Sequence, residues 1–237
     1  MARLTTQASG LSVIIPCRNE APRLPLLLAD LDRWPKALER IVVDAGSHDG
    51  SGRSATLAGA ACLQAPQPGR GSQLAYGAQR AQGPWLLFLH ADSRLTKDWP
   101  QAVQAVLHQP CAQNSAWFFD LHLQPSRPSL RLLEAAVAWR SRWLQRPYGD
   151  QGLLIHQNLY RHCGGYAPLP LMEDLDLVLK LAPLARLRPL GQALTSDGRR
   201  WTRTGVLERS WRNAQLRRRW RQGTNAQQLA DAYYGRP

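Results

Sequence analysis

The chain has 237 residues, of which 44% are hydrophobic and 20% charged, so it is long enough for one α/β domain and too apolar for a disordered or fibrous protein. Its 30 Lys and Arg against 17 Asp and Glu give a net charge of +13, which favours partners that carry phosphate. The longest apolar runs hold about five residues, whereas a spanning helix needs roughly 20, so we expect no transmembrane helix.

Short apolar runs alternate with helical segments through the first half of the chain. Val13, Ile14 and Ile15 stand in a row, which is typical of a strand with both faces buried. The pattern predicts strands at 11–16, 40–44, 62–65 and 85–90, and helices at 20–34, 51–60, 71–82 and 97–108. This order predicts an α/β fold with a Rossmann-like, mostly parallel open sheet and helices on both faces.

The second half has a different composition. We predict strands at 116–123 and 152–156 and helices at 129–145 and 171–181. Residues 199–237 hold ten Arg against Glu208 and Asp231, so they carry eight of the 13 net positive charges. We therefore predict one domain at 10–201 and a basic helical tail at 202–237.

The tail and the cysteines bear on location. Arg-rich sequence with Trp211 and Trp220 fits a contact with an anionic membrane surface, although nine residues separate the two indoles and place them on opposite helix faces. A solvated or protein-packed tail is the alternative. The N-terminus shows no secretory signal, so we expect a cytoplasmic protein. The four cysteines form no CxxC pair, and we expect them to be buried free thiols. Peripheral contact with the inner face of the cell membrane is the further expectation from the tail.

Polar residues follow the predicted strands, at the edge where open α/β sheets bind ligands. Asp44 ends the second strand and either accepts hydrogen bonds from a ribose or base, or caps its own turn. His90 and Asp92 follow the fourth strand and either share a divalent cation on a diphosphate, or are a core histidine and a turn cap. No GxGxxG or GxxxxGK[ST] motif occurs, which excludes the common nicotinamide-dinucleotide and P-loop classes.

Two further segments carry candidate chemistry. Glu173 and Asp174 open a predicted helix among apolar side chains, where a carboxylate serves as a general base or complements the helix dipole. Arg70 stands between glycines at the start of another helix, as either a diphosphate contact or an exposed loop residue.

Together these segments resemble a family 2 glycosyltransferase with the GT-A fold, in the small soluble branch of the radical-SAM/selenodomain-associated type. The resemblance rests, in order, on SVIIPCRNEAPRLPLLLADL, IVVDAGSHDGS, GRGSQ, LLFLHADSRL, PYGDQGLL, LPLMEDLDL and RRW. It implies an inverting transfer of a sugar from a nucleotide-diphosphate sugar, UDP favoured, to a hydroxyl of an acceptor that the sequence does not identify.

The resemblance also implies roles for individual residues. Asp174 would be the catalytic base with Glu173 beside it, and Asp92 with His90 would bind Mg²⁺ or Mn²⁺. The nucleotide-sugar would contact Pro16, Glu20, Asp44, Arg70, Gln73, Ala91 and Asp92, and the acceptor and diphosphate would contact Asp150, Gln151, Arg200 and Trp201. Two positions depart from the family pattern: His90 replaces the first Asp of the DxD motif, and Asp197 replaces the Gln that precedes the RW pair in larger members.

Two other functions remain as alternatives. A sugar nucleotidyltransferase shares the arrangement of nucleotide and metal, but it normally has a Gly-rich signature with Lys or Arg after the first strand, and PCRNE offers none. A nucleic-acid-binding module is supported by the net charge alone, because no base-reading motif is visible and most of the charge lies outside the body. We therefore expect no nucleic-acid partner.

Overall fold

A computed structural model describes residues 10–198, 201 and 205–235. The strands are β1 Leu11–Cys17, β2 Glu39–Asp44, β3 Ala61–Gln64, β4 Trp85–Phe88, β5 Arg94–Leu95, β6 Ser115–Gln124, β7 Leu153–His156 and β8 Arg186–Asp197. The helices are α1 Leu24–Leu31, α2 Ser51–Leu57, α3 Arg70–Arg80, α4 Trp99–Leu107, α5 Pro128–Trp143, α6 Gln157–His162, α7 Glu173–Leu181, α8 Val206–Arg221 and α9 Ala226–Tyr234. Two 3-10 turns occupy Ala112–Asn114 and Gly149–Gln151.

The eight strands form one sheet in the order β3-β2-β1-β4-β7-β6-β8-β5. The first four of these pair in parallel, because a helix crosses back between successive strands. Strand β7 runs antiparallel to both β4 and β6, and β6 pairs in parallel with β8. The predicted open α/β sheet is thus confirmed, with a mixed rather than parallel second half.

Alternate residues of the central strands fill two cores, one on each face of the sheet. Val13 and Ile15 of β1 pack on the face covered by α1 and α4, and Ile14 packs with residues of α3 and α7 on the other. All three side chains are fully buried, which explains the unbroken apolar run in the sequence. The parallel strands therefore end at a common edge whose loops carry the polar residues.

The sequence pattern does not predict β5, α6 or β8. Strand β8 is long but mostly half-buried or exposed, and Pro189 and Gly191 interrupt its apolar alternation. Its order comes from the ladder with β6, a contact between distant parts of the chain. The paired strand brings Ser196 and Asp197 to the functional edge of the sheet.

The C-terminal helices pack against the body. Leu229 of α9 is fully buried beside Leu171 and Leu175, and Leu216 and Trp220 of α8 join the same cluster. A buried leucine stabilises a fold by roughly 1.5–3 kcal/mol, so this contact holds both helices in place. The division into a 10–201 domain and a 202–237 tail stays a prediction. In the structure, α8 and α9 pack against residues of the 10–201 segment.

The structure bears on two expectations, one about membrane-spanning helices and one about the cysteines. Among the helices that the structure describes, none combines the length and apolar character needed to cross a membrane. All four cysteines are free, as expected, but Cys111 is exposed and Cys62 is half-buried, so the expectation that all four are buried is wrong.

Candidate active site

The loops after β1 and β2 are fastened together by side-chain hydrogen bonds. The Asn19 backbone N–H donates to Ser47 Oγ at 2.8 Å, and the Glu20 N–H donates to Ser51 Oγ at 2.8 Å. Asp44 is buried and its carboxylate accepts from the Ser47 N–H at 3.0 Å and from the Ser47 hydroxyl. Asp44 therefore shapes the turn, as one of its two interpretations predicts, and its contact with a nucleoside stays a prediction.

A cleft of about 570 Å³ opens beyond these loops. Its walls come from the ends of β1 and β4, the start of α3, and helix α9. Predicted nucleotide-sugar residues along it are Pro16, Glu20, Arg70, Gln73, Ala91 and Asp92. The side-chain amide of Gln73 donates to the carbonyls of Cys17 at 2.9 Å and Val43 at 2.7 Å, so this buried residue anchors α3 to two strand ends.

A second cavity of about 210 Å³ adjoins the cleft. Arg70, His90 and Asp92 line both spaces and form their common wall. The second cavity also contains Asp174 and Asp150, and Trp201 lines it next to the C-terminal helices. The structure thus places the predicted metal ligands between the predicted nucleotide cleft and the predicted base.

Asp174 is held by two backbone groups. It lies in the first turn of α7, where Oδ2 accepts from the Gly149 N–H at 3.0 Å and Oδ1 from the Leu175 N–H at 2.7 Å. Glycine at 149 leaves room for His90, because a Cβ there would lie 2.9 Å from His90 Nε2 and would make that side chain shift. Met172, just before the helix, has φ +68°, a left-handed conformation that is costly for a non-glycine residue and often found at functional sites.

Glu173 has a different environment from its neighbour. Its side chain is buried and forms an ion pair with Arg70. Burial raises the pKa of Glu173, the nearby Asp174 raises it further, and Arg70 opposes both. Within the described residues Glu173 lines neither cavity, so the prediction of a direct catalytic role does not fit its position; it positions Arg70 instead.

Asp150 and Gln151 occupy the 3-10 turn before β7. Asp150 lines the smaller cavity, and burial raises the pKa of its carboxyl while Arg140 opposes that shift. Gln151 is fully buried, accepts from Ser141 Oγ at 2.7 Å and donates to the Phe119 carbonyl at 3.1 Å. A contact between Gln151 and an acceptor therefore does not fit the structure, because both ends of its amide serve the fold.

His90 and Asp92 are the candidate metal ligands. No group of three or more His, Cys, Asp or Glu side chains within 10–198, 201 and 205–235 is arranged to hold a metal ion. A two-ligand site nevertheless fits Mg²⁺ or Mn²⁺ on a nucleotide, because these ions take most of their ligands from phosphate oxygens and water. The orientation of Asp92 into both cavities is the observation that favours this site.

The C-terminal segment supplies residues that the sequence analysis missed. Arg209, Asn213 and Arg217 of α8 and Tyr233 of α9 line the smaller cavity. The i, i+4, i+8 spacing of the three α8 residues puts them on one helix face, a signal that could have been noticed in the sequence. Arg200 lies outside the described residues, whereas Trp201 is described, with the Arg209 guanidinium 5.4 Å from its ring centre.

Residues 12–169 match the family model described as glycosyl transferase family 2. The chain belongs to glycosyl transferase family 2. Uncharacterized glycosyltransferases Rv0539 of Mycobacterium tuberculosis and Mb0553 of Mycobacterium bovis are each 33% identical over 95 residues. That match covers 40% of this chain and 42% of each relative, so the chain spans less than half the length of these curated relatives.

Solved structures share the fold of this family 2 member. Staphylococcus aureus TarS 1–349 matches with a TM-score of 0.63 at 17% identity, covering 80% of this chain and 61% of that one. Mannosyltransferase PcManGT of Pyrobaculum calidifontis, solved with GDP-Man and Mn²⁺, matches with a TM-score of 0.60 at 21% identity. The match covers 79% of this chain and 57% of that one. Glucosyl-3-phosphoglycerate synthase of M. tuberculosis, solved with Mn²⁺ and UDP among its ligands, matches with a TM-score of 0.56 at 21% identity. The match covers 78% of this chain and 71% of that one. The predicted GT-A fold is thereby confirmed.

Proposed function

We propose that the protein is an inverting glycosyltransferase that moves a sugar from a nucleoside-diphosphate sugar to an acceptor hydroxyl. The observation that carries this proposal is the pair of adjoining cavities whose common wall is Arg70, His90 and Asp92. The larger cleft would hold the nucleotide and the smaller one the acceptor, so the anomeric carbon would lie near the common wall. The order of the sequence motifs supports the radical-SAM/selenodomain-associated branch as a further part of the proposal.

The donor half of the proposal concerns the larger cleft. Solved structures of similar fold contain UDP, UDP-GlcNAc and GDP-Man, and we favour a UDP-sugar for this chain. Asp92 and His90 would hold Mg²⁺ or Mn²⁺, which supplies charge neutralisation for the departing diphosphate when bound. Arg70 at the start of α3 would pair with the same diphosphate, in a charge-assisted hydrogen bond.

The chemical step needs a base on the acceptor side. Asp174 lies in the smaller cavity, fixed by the Gly149 and Leu175 N–H groups. Its carboxylate would take the proton of the acceptor hydroxyl as that oxygen bonds to the anomeric carbon and the bond to the diphosphate breaks. Attack from the face opposite the leaving diphosphate gives inversion.

The alternative enzyme is a sugar nucleotidyltransferase. That reaction releases pyrophosphate and needs no base next to an acceptor hydroxyl, whereas glycosyl transfer releases a nucleoside diphosphate. Membership of glycosyl transferase family 2 and the half-buried position of Asp174 in the second cavity both favour glycosyl transfer. A nucleic-acid-binding function is favoured by no observation of the structure.

Nucleotide binding is expected to depend on Asp92. UDP with Mn²⁺ should raise the melting temperature of the protein, since a ligand at about 100 times its Kd stabilises by about 2.7 kcal/mol. Asp92→Asn should remove the part of the shift that needs Mn²⁺, while Asp98→Asn, at an exposed position before α4, should leave it unchanged. A thermal-shift panel of UDP, GDP and TDP with and without Mn²⁺ measures this. Equal shifts in both variants, or no shift with any nucleotide, would contradict the proposal.

We further propose a cytoplasmic location with a peripheral contact to an anionic membrane. Ten large apolar side chains are exposed in the described ranges, and six of them lie on α5, its C-terminal cap or α8. These are Leu132, Trp139, Trp143, Leu144, Leu207 and Trp211. Val206 of α8 packs on the same apolar cluster as Val137 of α5, so the two helices adjoin.

The chemistry of this exposed face matches a bilayer interface. Trp139 and Trp143 are 57% and 76% exposed and four residues apart, so they project from one side of α5. Arg residues flank them, among them Arg131 on α5 and Arg218 on α8, both exposed. Indole rings beside cationic groups favour the headgroup region of anionic lipid. Trp220, by contrast, is packed against the body, so the contact differs from the one expected for the tail alone.

Binding to lipid vesicles should therefore depend on the two α5 tryptophans. We expect cosedimentation with phosphatidylglycerol vesicles at low salt and its loss at high salt, because salt screens the Arg contribution. Trp139→Ala with Trp143→Ala should weaken binding about tenfold or more through lost apolar burial. Leu57→Ala, an equally exposed apolar residue on α2, is the control and should not change it. Equal binding by all variants would contradict the membrane proposal.

A further inference from the structure

We propose that the acceptor carries a phosphate group, which binds Arg217, Arg209 and Asn213 of α8 while its reacting hydroxyl faces Asp174. This inference rests on the proposed function and adds the chemical class of the acceptor. The three α8 residues are all half-buried and line the smaller cavity, on the side supplied by the C-terminal helices.

The smaller cavity is divided by charge. The carboxylates Asp92, Asp150 and Asp174 come from the body of the fold, as does Arg70, whose charge is paired with Glu173. Arg209 and Arg217 come from α8. Asp197, which also lines the cavity, pairs with Arg23 at 3.2 Å. A molecule with a hydroxyl at one end and an anion at the other matches this division, because each end meets the group that binds it.

Arg217 is the guanidinium whose charge a bound anion would stabilise most. It forms no ion pair with a carboxylate within the part of the chain that the structure describes. Its nearest described partner is the ring of Tyr148, at 5.4 Å from the ring centre. Among the described residues, the contact that the structure gives this cation is thus an aromatic face, which is of modest strength.

A second guanidinium lies against the same ring. Arg140 is 3.9 Å from the centre of Tyr148, so two cations flank one aromatic side chain. Burial lowers the pKa of Arg140 and the neighbouring Arg217 lowers it further, while the nearby Asp150 carboxyl opposes both. Like charges held together in this way repel, and a bound anion relieves the repulsion.

Phosphate is the anion that this face of α8 fits best. Arg209 and Arg217 offer guanidinium donors and Asn213 between them offers an amide, which together match an anion with several acceptor oxygens. Arg209 is already oriented by its bond to the Tyr233 hydroxyl at 3.0 Å. The cavity, at about 210 Å³, is smaller than the ~300–1,000 Å³ typical of drug-sized ligands, so it suits a small phosphate ester or one lipid headgroup.

Binding of sn-glycerol 3-phosphate to the full chain, already saturated with UDP and Mg²⁺, tests the inference. Isothermal titration calorimetry should show binding alongside UDP. Arg217→Gln should weaken it about tenfold or more, because a charge-assisted hydrogen bond is lost. Arg53→Gln, at an exposed position of α2 away from both the cavity and the α5–α8 face, is the control and should change the Kd less than about twofold.

The outcomes separate this inference from the function on which it rests. Phosphatidylglycerol vesicles replace the soluble ester in a second arm, and Arg217-dependent binding to either probe supports the inference and identifies the source of the phosphate. Equal affinities of Arg217→Gln and Arg53→Gln for both probes, with UDP binding intact, would overturn the acceptor class alone. Failure of the unaltered chain to bind UDP would overturn both.

Discussion

Replacing Asp174 with Asn should lower the rate of sugar transfer by about 10²–10⁴-fold, the usual contribution of a general base. The amide keeps the size of the side chain and can still accept from the Gly149 and Leu175 N–H groups, which now hold the carboxylate at 3.0 Å and 2.7 Å. It cannot take the proton of the acceptor hydroxyl. A coupled assay that detects UDP released from a UDP-sugar in the presence of acceptor extracts measures the loss.

Asp176→Asn is the matched control for this substitution. Asp176 lies two residues further along α7 and pairs with Lys180 at 2.7 Å, away from the cavities among the described residues. Its replacement should leave the rate within about twofold, since a partly exposed i, i+4 pair contributes only about 0.3–0.5 kcal/mol. UDP affinity should be unchanged in both variants. Turnover by Asp174→Asn within a few-fold of the unaltered chain would show that another group is the base.

Replacing Arg70 with Met should destabilise the fold, because it leaves Glu173 buried without its partner. Glu173 is 1% exposed and Arg70 is 32% exposed at the side chain, so we expect the lower end of the ~3–5 kcal/mol typical of a broken buried ion pair. Arg23→Met, which removes more exposed pairs to Glu20 and Asp197, should cost less, at most about 1 kcal/mol for each pair. Urea unfolding of both variants measures the difference.

The deficit of Arg70→Met should also grow with pH. Burial raises the pKa of Glu173, and loss of Arg70 removes the group that opposes this shift. An acid whose folded pKa is raised favours the folded state at low pH and loses that contribution as pH rises through the folded pKa. The free energy of unfolding should thus fall more steeply as pH rises above the ordinary pKa of a Glu carboxyl in Arg70→Met than in the unaltered chain. Adding Glu173→Gln should abolish the difference; a pH-independent deficit would contradict the burial of an ionised Glu173.

The sequence places the residues of the proposed donor side at one edge of the sheet, for a physical reason. Strands β3, β2, β1 and β4 are parallel and lie side by side in this order, so the residues that follow them must meet at one edge of the sheet. Arg70 and Asp92 are therefore placed together by topology alone. Asp174 follows from the resemblance, since α7 reaches the same edge only through contacts between distant segments.

The remaining features depend on packing that no local pattern encodes. Gln73 and Gln151 are polar residues within motifs, yet their amides satisfy buried backbone carbonyls, and composition does not distinguish that role from contact with a ligand. The i, i+4, i+8 spacing of the cavity-lining face of α8 is visible in the sequence, but the sequence does not distinguish this face from the exposed Arg faces around it. Only the packing of Leu216 and Trp220 against the body shows which face is turned inward.

A crystal structure of the protein with UDP and Mn²⁺ tests the central claim most directly. The account predicts an anomalous Mn²⁺ peak at Asp92 and His90, the uridine in the cleft of about 570 Å³, and the diphosphate at Arg70 on the common wall. The terminal (β) phosphate of UDP should then face Asp174 in the smaller cavity. A nucleotide bound in the smaller cavity, or a metal ion held away from Asp92, would contradict it.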